Sequence, residues 1–220
     1  MNVQTKLSRE TDTQETVLVV GQPLERARVA MVLLHGRGGS AESMLPLVDE
    51  LAHPHMAYLA PQAEGNSWYP YSFLAPIDRN EPELSAALAS VSAALDRLQE
   101  SGIPPERTIL LGFSQGACLA LEYVARHARR YGGVAGLSGG LLGPEGMLRD
   151  YDGSLAGTPV FLGCSDVDPH IPTDRVLESA DVLRHMGARV KMHLYSGMGH
   201  TVNSDELDAV RRMLRGLPAQ

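Results

Sequence analysis

The chain has 220 residues, 44% of them hydrophobic, and a formal net charge of -7. That length and composition suit a globule with a core of its own rather than a disordered chain. The acidic balance argues against nucleic-acid binding, and no apolar run approaches the ~18 residues of a membrane span, so no stable membrane insertion is expected.

Residues 1–14 are polar, lack the apolar stretch of a signal peptide and read as a flexible N-terminal tail. Two cysteines, Cys118 and Cys164, are too few for a disulfide framework. A reduced, structural role fits both, and a cytoplasmic setting fits that.

Thr16–Val20 and Ala27–Leu34 are apolar, β-branched runs around a Gly21-Gln22-Pro23 turn, which predicts a hairpin or two adjacent strands. The second run ends in His35-Gly36-Arg37-Gly38-Gly39, a strand-to-helix loop. Ser40 then caps a helix whose apolar face is Met44, Leu47, Val48 and Leu51. Ala57–Ala60 is a short strand that stops at Pro61. The segment 62–79 has no clean period and reads as a long loop, carrying Trp68, Tyr69, Tyr71 and Phe73. Asn80, Pro82 and Glu83 open the next helix as cap, first-turn proline and capping-box acid. Leu84, Leu88, Val91, Leu95 and Leu98 repeat at the helical period, and Gly102 closes it.

Ile109–Leu111 reads as a buried strand, followed by Gly112-Phe113-Ser114-Gln115-Gly116 and a helix to about Arg130. Strand, tight turn and helix with a serine at the tip is the setting of a nucleophile elbow. The cramped turn needs residues almost free of side chain on both sides of the serine, which Gly112 and Gly116 supply. Further strands are predicted at Gly133–Leu137, Thr158–Gly163 and Arg189–Tyr195, with helices over Thr173–Gly187 and Asn203–Arg215. Strands alternating with helices give an α/β fold: a mainly parallel sheet with helices on both faces, its functional residues on loops at the strands' carboxyl ends.

A serine hydroxyl needs a base within reach and an acid to orient that base. In elbow hydrolases the acid and then the base follow the serine in the chain. Asp166 and Asp168 both follow the strand at Thr158–Gly163, and spacing alone does not choose between them. Of the eight histidines, His200 stands on a glycine loop between a strand and the last helix, where the base belongs. His127, His185 and His193 fall within elements, and His170 lies in the acid turn, where it can line a pocket. The developing oxyanion calls for two N–H donors: Gln115 after the serine, and Arg37 from the earlier loop. His35 reads as a structural residue holding that loop. His53-Pro54-His55 is too sparse for a metal site, no phosphate or dinucleotide motif occurs, and the chemistry needs no cofactor.

Leu-Leu-His-Gly-Arg-Gly-Gly at 33–39, Ala-Pro-Gln-Ala at 60–63, Ser-Trp-Tyr at 67–69, Gly-Phe-Ser-Gln-Gly at 112–116, Leu-Ser-Gly-Gly at 137–140, Asp-Pro-His-Ile-Pro at 168–172 and Gly-Met-Gly-His at 197–200 together resemble the phospholipase/carboxylesterase family. That family includes acyl-protein thioesterases and small bacterial carboxylesterases. The resemblance implies an α/β-hydrolase fold without a large cap domain, here one domain over 15–220. It implies Ser114, Asp168 and His200 as the triad, the Asp-Pro-x-Ile-Pro match favouring Asp168 over Asp166. The loop aromatics are open to two readings, walls of a substrate pocket or a satellite core packed under the loop, and the resemblance favours Trp68 for the pocket, with Tyr69 and Phe73 beside it. The acyl-protein thioesterases carry Leu and then Gly-Asp where Arg37, Gly38 and Gly39 stand here. The expected activity is therefore that of a serine carboxylesterase acting on small to medium acyl esters through an acyl-enzyme. An acyl thioesterase or lysophospholipase on the same fold, or a non-catalytic binding protein, are the alternatives. The Arg37 side chain is open to two readings, one facing an anionic substrate, the other a solvated arginine whose backbone alone matters. The expected partner is a small-molecule ester, and a homodimer is compatible with the sequence.

Overall fold

The computed structural model describes residues 8–12 and 15–218. Eight strands form one sheet: β1 (Ser8–Asp12), β2 (Glu15–Gly21), β3 (Val29–Leu34), β4 (Met56–Pro61), β5 (Thr108–Phe113), β6 (Gly133–Leu137), β7 (Pro159–Ser165) and β8 (Arg189–Tyr195). Their order is β1-β2-β4-β3-β5-β6-β7-β8. From β4 to β8 the neighbours run parallel, and β1 and β2 add an antiparallel edge. The helices are α1 (Leu45–Glu50), α2 (Glu83–Glu100), α3 (Gln115–Arg126), α4 (Thr173–His185) and α5 (Ser204–Arg215). The tail expected over 1–14 falls mostly outside the described residues, and the part inside them, Ser8–Asp12, is strand β1.

Central strands read as unbroken apolar runs because both faces are covered. Ala30, Val32 and Leu34 of β3 belong to the core on one side of the sheet, together with Leu84, Leu119 and Val176 from α2, α3 and α4. Met31 and Leu33 face the other side, with Val48 of α1 and Val210 and Leu214 of α5. The edge strand β8 alternates instead, exposing Arg189, Lys191 and His193, which suits an open edge.

Two sequence expectations change. Strands β2 and β3 are not adjacent, because β4 inserts between them, antiparallel to β2 and parallel to β3. The apolar pattern identifies strands but carries no information on which strand they pair with. Asn80 does not cap α2 either. It is fully buried and holds the preceding loop, accepting from the Tyr71 N–H at 2.9 Å and donating to Ser72 O at 3.1 Å. The helix is opened by Pro82 without a side-chain cap, and the capping box expected with Glu83 does not form. Ser40 does cap, through a reciprocal box with Ser43, and Asn203 forms the same box with Glu206 at the start of α5.

Every candidate group follows a parallel strand at its carboxyl end. Arg37 follows β3, the aromatic loop β4, Ser114 β5, Asp168 β7 and His200 β8. Among the described residues no helix is long and apolar enough to cross a membrane.

Candidate active site

Ser114 sits between β5 and α3 with φ 55° and ψ -119°. A non-glycine residue in that region is strained and persists only when its surroundings enforce it. Here they do. A Cβ on Gly112 would strike Gly116 O, and one on Gly116 would strike Leu34 O. The two glycines let helix and strand close to within backbone contact around the serine. Its N–H donates to Leu137 O at 2.9 Å, which ties the elbow to β6.

The Ser114 Oγ hydroxyl lies 2.9 Å from His200 Nε2, and His200 Nδ1 lies 2.7 Å from Asp168 Oδ2. A proton on Nδ1 satisfies both contacts, since the carboxylate accepts it and Nε2 is left to accept from the hydroxyl. Asp168 Oδ1 accepts the N–H groups of His170 and Ile171 at 2.9 and 3.1 Å. Burial alone would raise this carboxyl. The bond to His200 and the two backbone donors outweigh it and hold Asp168 below the usual carboxylate range.

Asp166, the alternative acid, points elsewhere. Its Oδ1 accepts the Gly197 N–H at 2.8 Å, and Ser165 Oγ accepts the Gly199 N–H at 3.0 Å. Both residues therefore grip the loop that carries His200. The sequence reading did not single out Ser165, whose only signal was a polar residue ending a buried strand.

Arg37, Ser114, Gln115 and His200 border one cavity of about 500 Å³ with Tyr69, Phe73 and Phe113. The Arg37 and Gln115 amide N–H groups have no acceptor among the described residues. Both are thus available to a ligand atom beside Ser114. His170 also lines the cavity, its ring edge-on to His200 at 4.8 Å.

Trp68 does not line this cavity, although Tyr69 and Phe73 do. Only 3% of Trp68 is exposed. Its indole N–H donates to His35 O at 2.8 Å, and its ring packs on the His35 imidazole at 4.9 Å. Trp68 and Tyr69 are both buried, Trp68 against His35 under the loop and Tyr69 at the cavity wall. His35 is structural as expected. It is fully buried, burial keeps its pKa below the ordinary value, and its Nε2 accepts from the Ala63 N–H.

Two side chains brace the aromatic loop, and neither role was read from the sequence. Gln115 Oε1 accepts from the Trp68 N–H at 3.0 Å, and its Nε2 donates to Tyr69 O at 2.8 Å. Arg37 donates to Ser67 Oγ, Pro70 O and Tyr71 O at 3.0, 2.8 and 2.6 Å. Cys118 and Cys164 are buried thiols pushed up to about 12 by burial, so neither is a thiolate nucleophile.

Beneath the His200 loop lies a fully buried carboxyl, Glu206, which accepts from the Asn203 N–H at 2.9 Å. Its other oxygen has no partner among the described residues. Burial raises its pKa from 4.5 to about 7, the Asn203 bond opposing only in part. Between those values the native state binds more protons at this site than the unfolded chain. Its contribution to stability therefore falls as pH rises from 4.5 to 7, by about 3 kcal/mol at most. Glu206→Gln should remove this slope and make the protein more stable at pH 8. Urea unfolding of both proteins at pH 5 and pH 8 checks it, and equal pH responses would refute it.

A model of the phospholipase/carboxylesterase family matches residues 15–217. A crystal structure of a phospholipase/carboxylesterase from Dyadobacter fermentans superposes with a TM-score of 0.87 at 42% identity, covering 97% of this chain and 100% of that one. Acyl-protein thioesterase 1 of Saccharomyces cerevisiae is 27% identical over 221 residues, covering 90% of this chain and 96% of the relative. Acyl-protein thioesterase 1 of Gibberella zeae is 38% identical over 119 residues, an alignment spanning only half of each protein, 53% of this chain and 50% of the relative. With the elbow, the sheet order and a match over nearly the whole length in agreement, the chain belongs to the phospholipase/carboxylesterase family.

Proposed function

We propose that this protein hydrolyses carboxylic esters of small to medium acyl chains, with Ser114 as nucleophile, His200 as general base and Asp168 as the orienting acid. The observation that carries the reading is the unbroken contact from Ser114 Oγ through His200 to Asp168, at 2.9 and 2.7 Å, opening on one cavity. His200 takes the hydroxyl proton as Ser114 attacks the carbonyl carbon. Asp168 keeps the Nδ1 proton in place and stabilises the imidazolium. The N–H groups of Arg37 and Gln115 receive the negative charge on the carbonyl oxygen. His200 returns its proton to the departing alcohol, leaving an acyl group on Ser114. Water, activated by the same histidine, then releases the acid.

An oxygen ester is preferred to a thioester because Arg37-Gly38-Gly39 departs from the thioesterase motif. A fluorophosphonate probe should label Ser114 stoichiometrically, and matched oxygen and thioester substrates should favour the oxygen series. Absence of labelling in the folded protein would overturn the reading.

A further inference from the structure

We propose that the cavity beside Ser114 selects esters that bear a carboxylate, with the Arg37 guanidinium as its anchor and the His170 ring as a second donor; this rests on the esterase reading above. The chain as a whole is acidic, with a net charge of -7. The cavity wall is not. Among the described residues it holds no Asp or Glu side chain, and Arg37 is its one arginine or lysine.

Five arginines elsewhere on this protein meet carboxylates: Arg126 on Glu122, Arg149 and Arg175 on Glu178, Arg184 on Asp181, Arg211 on Asp208. Arg130 and Arg189, outside this cavity, bond backbone carbonyls instead, and Arg37 is of that second kind. Its three acceptors are a hydroxyl and two backbone carbonyls, so its charge has no counter-ion among the described residues. Those three bonds take both Nη1 donors and one on Nη2. They leave Nε–H and the other Nη2–H for a ligand. They also fix a long side chain in advance, which lowers the ordering cost of binding an anion. The Arg37 amide has its own role beside Ser114, so charge recognition and oxyanion support come from one residue placed by one loop.

His170 supports the same end. In either tautomer an imidazole offers one N–H. The His170 ring lines the cavity and makes no hydrogen bond among the described residues, only the edge contact with His200. A neutral ester leaves both donors to water, whereas a carboxylate-bearing ester engages them.

Two matched substrate pairs test this. Mono-(p-nitrophenyl) glutarate against p-nitrophenyl pentanoate places the charge on the acyl side. 4-Carboxyphenyl butyrate against 4-carbamoylphenyl butyrate places it on the alcohol side. At low ionic strength kcat/KM should favour the charged member of at least one pair by about tenfold, the low end for a charge-assisted bond because Arg37 is exposed. The preference should shrink in 1 M salt through screening. It should vanish in Arg37→Gln and survive in part in Arg37→Lys, whatever happens to the absolute rates. A wild-type ratio of one or less in both pairs overturns the proposal. So does a preference that persists in Arg37→Gln. Turnover of the neutral esters without charge preference leaves the esterase reading standing, whereas no turnover and no Ser114 labelling brings down that reading itself.

Discussion

Ser114→Ala and His200→Ala should each lower kcat about 10⁶-fold, and the double variant should lose no more than either alone, because the groups act as a unit. Asp168→Asn should cost about 10⁴-fold, since an amide in that place favours the wrong imidazole tautomer while keeping the shape. The informative contrast is with Asp166→Asn. Among the described residues the Asp166 side chain accepts one bond, from the Gly197 N–H, and the His200 ring nitrogens bond Asp168 and Ser114 instead. An asparagine Oδ1 can keep that bond, so its effect should stay within about tenfold. Circular dichroism confirms that each variant is folded, and steady-state hydrolysis of a p-nitrophenyl ester reads the rates. A loss in Asp166→Asn equal to that in Asp168→Asn would refute the assignment of the acid.

The elbow was legible because every requirement of the turn is local. An apolar strand, two glycines flanking Ser114 and a helix can all be read within a few residues. The candidate acid was only half legible. Asp166 and Asp168 are equivalent in spacing, and the difference is made by Oδ2 of Asp168 meeting a ring 32 residues away. Long-range choices were invisible for the same reason. Nothing in β2 states that it will pair with β4 rather than β3. Asn80, next to an N-terminal proline and an acid, carries a correct capping signature, yet its amide is better satisfied by the loop behind it. The braces from Gln115 and Arg37 to the aromatic loop join residues far apart in the chain. Such pairs leave no periodic trace.

Trp68→Ala is the case in which structure and sequence reading give opposite expectations. A pocket residue would alter chain-length preference and spare folding. The geometry predicts the reverse. Trp68 is almost fully buried, its indole packs on His35, and its N–H holds the carbonyl of that same residue. Truncation should cost about 3–5 kcal/mol of stability, the usual range for a large aromatic cut to alanine. For a protein of this size that lowers the melting temperature by about 6–20 °C. His35 is two residues before Arg37, so loosening it also displaces an amide donor of the candidate oxyanion site. The rates for acetate, butyrate and octanoate esters should therefore fall together. Phe73→Ala, at the cavity wall, should instead change their ratio. Trp68→Phe separates the two parts of the role, because it keeps most of the packing and loses only the bond to His35 O. Its loss should be about 1 kcal/mol, plus the cost of leaving that carbonyl unpaired. Melting curves with the three-ester panel decide the matter: a Trp68→Ala protein of unaltered stability with shifted selectivity would return Trp68 to the pocket.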